Sequence, residues 1–154
     1  MSKGISEYVR QELKKAEQAL KAAQNLLADG LYDDAVSRAY DAVFHSTRAA
    51  LKIKGIETVS HNDLISQFAL HLVKTGEVEE EYGDILISQF ALYPVKTGEV
   101  EEEYGDILRQ IKEDRETGDY EPLVTFGSDE AAQLVGSADR FLARMRDWIG
   151  KRAP

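Results

Sequence analysis

Three side chains in this sequence have the types and spacing to act together on a phosphate. Arg38, Asp41 and His45 fall at intervals of three and four residues, the repeat that places side chains on one face of a helix. At 1.5 Å per residue, Arg38 and His45 stand about 10.5 Å apart along the axis, two turns. A guanidinium to hold a phosphate, an imidazole to move a proton and a carboxylate to orient either make a workable set for cleaving RNA. The plainer alternative is a surface ion pair between Arg38 and Asp41, three residues apart, with His45 beside it. Arg48 and Lys52 extend the same polar line.

Other chemistry is sparse. The chain has no glycine-rich phosphate loop, no serine–histidine–aspartate spacing and no metal-binding spacing of a familiar kind. No cofactor is expected. Two further histidines occur. His61 sits in Ser60-His61-Asn62-Asp63, where a helix should start, and is read as part of the cap. His71 lies on a mostly apolar segment and is replaced by Tyr93 in a second copy of that segment, as suits a packing or rim position.

The elements that must carry the polar line are helical. A first helix is expected from Ser6 to Ala28, with Val9, Leu13, Ala16, Leu20, Ala23 and Leu27 as its apolar stripe. Gly30 suits the left-handed position that ends a helix. Asp33 is the expected N-cap of the second helix, which runs to Lys54 before Gly55. That helix has a small-residue line (Ala35, Ala39, Ala42, Ser46, Ala49) for close helix approach. Beside it lies a bulky flank of Val36, Tyr40, Val43, Phe44 and Leu51. A last helix should begin at a Ser128 cap, with Asp129 and Glu130 favourably placed in its first turn. Its expected core positions are Ala132, Leu134, Val135, Ala138, Phe141, Leu142, Met145 and Ile149. The whole reads as one all-α domain over 1–154, an antiparallel up-down bundle of about five helices.

Between these helices lies a tandem duplication. Residues 64–85 read LISQFALHLVKTGEVEEEYGDI, and 86–107 repeat them except that His71 and Leu72 become Tyr93 and Pro94. The insertion of a helix plus a turn allows three outcomes: a long helix read through Thr75-Gly76, an extruded hairpin, or a domain swap. Gly76 costs only about 1 kcal/mol inside a helix, which favours read-through. Pro94 should end a helix at Tyr93. The expectation is a helix from Asn62 to Tyr93, a turn, a helix from Val100 to Glu116, and a loop from Thr117 to Gly127.

Composition bounds the partners. The formal net charge of −9 over 154 residues opposes a general nucleic-acid coat and leaves room only for a local basic patch. The acidic runs (Glu77, Glu79, Glu80, Glu81 and their copies Glu99, Glu101, Glu102, Glu103) and the basic C-terminal group (Arg140, Arg144, Arg146, Lys151, Arg152) read as solvated faces. Without cysteine there is neither a disulfide nor a thiolate metal site, and a reducing, cytoplasmic setting is expected. No apolar run at the start resembles a signal peptide, and none is long enough to span a bilayer.

The run from Leu31 to His45, LYDDAVSRAYDAVFH, resembles the hallmark second helix of the HEPN family. The preceding AEQALKAAQNLLADG, the Ser60-His61 helix start and Lys74-Thr75-Gly76 are similar to small prokaryotic members. The resemblance implies a helical bundle, usually a homodimer. It also implies pairing with minimal nucleotidyltransferases in toxin–antitoxin-like modules. Some HEPN proteins are metal-independent ribonucleases that use an arginine followed four to six residues later by a histidine, with two such motifs meeting across a dimer. Carried onto this chain, the signature falls on Arg38, Tyr40 and His45. Three departures weigh toward a non-catalytic, binding role: Ala39 follows Arg38, Asp41 stands where relatives often have tyrosine, and the motif lies on the second helix. The expected binding set is Arg38, Tyr40, Asp41, His45 and Arg48, with Arg38 and His45 catalytic in the ribonuclease alternative. In the remaining alternative, a helical interaction module, the polar line is only solvated surface.

Overall fold

The computed structural model describes residues 5–97 and 126–152, with 91–97 described by their backbone alone. The protein is an all-α helical bundle, and the described residues contain no strand. Helix α1 spans Glu7–Ala28, capped by Ser6, whose hydroxyl accepts the Val9 amide at 3.2 Å. Its chain reverses at Gly30, where φ is +79°. Helix α2 spans Tyr32–Ile53. Asp33 does not cap it. Leu31 holds the cap position without a side-chain bond, because the Asp33 carboxylate is engaged elsewhere, accepting the Phe126 amide at 2.8 Å. The carboxylate therefore ties α2 to the segment entering the last described helix, α5, at Ser128–Arg152.

Helix α2 is the centre of the bundle, packed most extensively on α1 and next on α5. Its small-residue line explains this: Ala35, Ala39, Ala42, Ser46 and Ala49 are all fully buried. Short side chains let two helices approach on adjacent flanks of a third, and close packing returns dispersion energy along the seam. From α5, Val135, Ala138, Phe141, Leu142, Met145 and Ile149 enter the core as expected. The helix is rotated slightly from expectation at its start, so that Ala131 is buried, Ala132 exposed and Leu134 half-buried. Trp148, absent from the expected core, is among its largest buried side chains.

The duplicated region departs most from expectation. Helix α3 spans His61–Phe68 and continues as a wider turn over Ala69–Val73, where the Lys74 amide reaches back five residues to the Ala69 carbonyl. Helix α4 then spans Glu80–Thr97. The chain is thus not read through Thr75-Gly76; it turns there, with Gly76 at φ +80°. The small helix penalty of a glycine does not decide the outcome, because the turn makes contacts that a straight helix forfeits. Val78 is buried, and its amide bonds the Leu72 carbonyl at 2.9 Å. Glu77 is gripped by Lys54, the residue that caps the end of α2, and by Arg152 of α5 at 2.9 Å. Arg144 takes Glu79 at 2.8 Å and the Glu77 carbonyl at 3.1 Å. Lys54, the largest cause, together with Thr75 and Arg152, holds the Glu77 carboxyl down to about 2.

Nor does Pro94 end a helix: α4 passes through it to Thr97. Proline removes one amide donor, and here the helical backbone tolerates that loss. The helix thus begins in the first copy of the repeat and ends in the second. The expected helix over 100–116 and most of the expected loop, 117–125, lie outside the described residues.

Candidate functional site

The polar line of α2 meets α1 around a buried carboxylate that the sequence did not flag. Glu12 is only 5% exposed. One oxygen lies 2.7 Å from His45 Nδ1, within hydrogen-bond distance, and the other lies 3.5 Å from the Arg48 guanidinium. Arg48 also donates to the Tyr8 hydroxyl at 2.7 Å, and its guanidinium stands 5.3 Å from the Phe44 ring centroid. A charge this far from water persists only if paired and hydrogen-bonded, and Glu12 has both partners. The signal was present in the sequence: Glu12 lies on the three-four line Val9, Glu12, Ala16, Ala19, Ala23, all buried. The expected stripe placed Leu13, Leu20 and Leu27 at the centre, whereas these are half-buried flanks.

On the other side of His45 is an open pocket of about 200 Å³, lined by Lys15, Gln18, Ala19, Arg38, Asp41 and His45. Arg38 and Asp41 form an ion pair at its wall. Burial pushes the Asp41 carboxyl above the usual carboxylate range, although Arg38 and His45 pull the other way. Arg38 is 48% exposed along its side chain and His45 is 21% exposed. The guanidinium is therefore open to an approaching anion, while the imidazole is held. Phe44 braces it edge-on, with ring centroids 5.2 Å apart.

Of the five sequence-derived residues, Arg38, Asp41 and His45 share this pocket. Arg48 lies beyond Glu12 and lines a separate cleft with Tyr8, Leu51, Ile56, Glu57 and Thr58. Lys52 sits over the Tyr8 ring and pairs with Glu57 at 2.6 Å. Tyr40 is buried and hydrogen-bonded to His61 Nδ1. His61 is thus no cap. Ser60 caps α3, accepting the Asp63 amide at 3.0 Å, while the His61 ring packs among Tyr40, Phe44 and Phe90. Lys15 and Gln18, from α1, had no sequence signal, because exposed polar residues on a helix are ordinary.

Comparison with known proteins places these features in a family context. A family model of the HEPN domain matches residues 9–148. A protein of Methanocaldococcus jannaschii named "Putative toxin" is 41% identical over 85 residues, 55% of this chain and 63% of that protein. A "UPF0332 protein" of Pyrococcus horikoshii is 38% identical over 51% of this chain and 55% of its own length. The chain thus matches less than two thirds of either of these two. A "UPF0332 protein" of Thermotoga maritima is 30% identical over 138 residues, 90% of this chain and 86% of that protein.

Proposed function

The chain belongs to the HEPN family, and on that premise we propose that it is a toxin-like protein whose α1–α2 pocket binds the phosphate of an RNA strand or nucleotide. The observation that carries this reading is the pocket itself. It joins an exposed Arg38, a Lys15 and an immobilised His45 in a volume of about 200 Å³. Sites for whole small molecules run to roughly 300–1,000 Å³. A smaller open cavity suits one phosphate of a chain that lies across the surface. With a net charge of −9, binding depends on this local patch and weakens with salt. The toxin names of two relatives from Methanocaldococcus jannaschii fit the reading. It includes a cytoplasmic homodimer paired with a minimal nucleotidyltransferase. No described helix is long and apolar enough to cross a membrane.

A second reading, a metal-independent ribonuclease, is favoured by one feature: His45 is held by a carboxylate, an arrangement that can orient a proton-transferring imidazole. One experiment separates the readings. A labelled single-stranded RNA is incubated with the protein, with Arg38→Ala and with His45→Ala, in chelator. Binding is followed by anisotropy and cleavage on a gel. The binding reading expects affinity to fall about tenfold in Arg38→Ala, the loss of a charged hydrogen bond. Cleavage by the parent that is lost in His45→Ala establishes the nuclease. Equal binding by all three proteins reduces the polar line to solvated surface. Co-expression with a minimal nucleotidyltransferase tests the partner, and co-elution is the expected result.

A further inference from the structure

We infer that Glu12 is a positioning residue for His45, fixing which ring nitrogen carries the permanent hydrogen and which one exchanges a proton toward the pocket. This rests on the pocket reading above and deepens it. The geometry leaves little freedom. Glu12 Oε1 is 2.7 Å from His45 Nδ1, and a carboxylate oxygen only accepts, so Nδ1 carries a hydrogen. Nε2 is then the nitrogen whose proton comes and goes, on the opposite side of the ring from Glu12.

The rest of the cluster holds Glu12 in that role. Its second oxygen faces Arg48 at 3.5 Å, so the carboxylate's charge is matched without a proton from the imidazole. Arg48 is itself anchored by the Tyr8 hydroxyl at 2.7 Å. Glu12 is 5% exposed, which keeps water from competing for Oε1. Phe44 blocks rotation of the ring from its flank. The pocket that His45 lines is completed by Lys15, Gln18, Ala19, Arg38 and Asp41. Arg38 presents a charge to a phosphate there, and Nε2 is the nearby group able to accept or return the proton of a ribose hydroxyl or leaving oxygen. A buried acceptor that fixes tautomer and ring orientation is how histidine is prepared for such work.

The test reads the tautomer directly. Nitrogen-15 NMR of the imidazoles at mildly alkaline pH should show His45 of the parent with hydrogen on Nδ1. In Glu12→Ala the ring should revert to the Nε2–H form that an unconstrained imidazole favours. In Glu12→Gln, whose amide keeps the side chain's shape and either donates or accepts, the two forms should mix. Cleavage of RNA, where the parent shows it, should fall about 10- to 100-fold in Glu12→Ala, as when a group that orients an active one is lost. A parent carrying its hydrogen on Nε2 overturns the inference without any variant. So does an unchanged His45 pattern in Glu12→Ala or, if that variant fails to fold, in Glu12→Leu, which fills similar space but offers no acceptor. The tautomer is read without RNA. An Nδ1–H parent with altered variants therefore upholds the positioning role even if RNA is ignored, an outcome that sinks only the pocket reading.

Discussion

Two glutamates in this bundle are held by pairs of basic side chains, and their surroundings differ. Glu12 is enclosed between α1 and α2, with one partner, His45, that reaches a pocket. Glu77 sits at the turn between α3 and α4, 24% exposed along its side chain, with Lys54 and Arg152 as partners. Both arrangements are ion pairing. The difference lies in the partner: an imidazole next to an open cavity leaves a nitrogen for chemistry, whereas an ammonium and a guanidinium around a turn only fasten three helices together. The contrast teaches that ion pairing alone does not separate the two carboxylates; the open space beside one partner does.

The comparison is broken most forcefully by function. His45→Ala should lower any RNA cleavage at least about 100-fold, the usual contribution of a general acid or base, while Glu77→Gln leaves it unchanged. Equal losses on a gel would show that the two clusters do not divide the work. Stability comes next. Glu12→Ala strands Arg48 and the His45 Nδ1–H, and urea unfolding should register about 1–3 kcal/mol. Glu77→Gln, at a pair that water reaches, should cost less than Glu12→Ala. A reversal of that order would mean that the turn, not the helix interface, anchors the fold.

The smallest effects are in pH. The Glu77 carboxyl is lowered to about 2 in the fold, so the stability it contributes is fully present above its ordinary 4.5. That contribution drains away as pH falls toward 2, because the unfolded chain binds the proton first. Asp41 has the opposite sign. Its carboxyl is raised above 3.8 by burial, so the folded chain holds the proton more tightly, and stability declines as pH climbs from 3.8 through the raised value. Asp41→Asn should flatten the second slope and Glu77→Gln the first, both measured by thermal melts across the acid range. Identical pH profiles for parent and both variants would contradict the two assignments.

Much of this organisation was legible in the sequence, and particular residues show where it stopped. The line Ala35, Ala39, Ala42, Ser46, Ala49 gave the close-packed centre, and Ser6, Gly30 and Gly55 gave the boundaries, because spacing and turn chemistry are local. Spacing also brought Arg38, Asp41 and His45 together. Glu12 was hidden because its partners lie more than thirty residues away in the chain, and a lone charge on an apolar line does not name its counterpart. The duplication shows the same limit. Gln67 and Gln89 occupy equivalent places in identical LISQF segments. Gln67 is half-buried and bonds Asp63 on its own helix, whereas Gln89 is buried and donates to the Leu134 carbonyl of α5 at 2.8 Å. Identical local sequence met different neighbours, and the neighbours chose the buried face. Read-through at Gly76 failed for this reason too, since the grip of Lys54, Arg144 and Arg152 comes from other helices.

The most direct test of the division between the two clusters is an NMR titration of the labelled protein with a short single-stranded RNA. The account predicts that resonances of Lys15, Arg38 and His45 shift together and saturably, while those of Lys54, Glu77 and Arg152 stay in place. Shifts centred on the turn between α3 and α4, or none at the pocket up to saturating RNA, would contradict it.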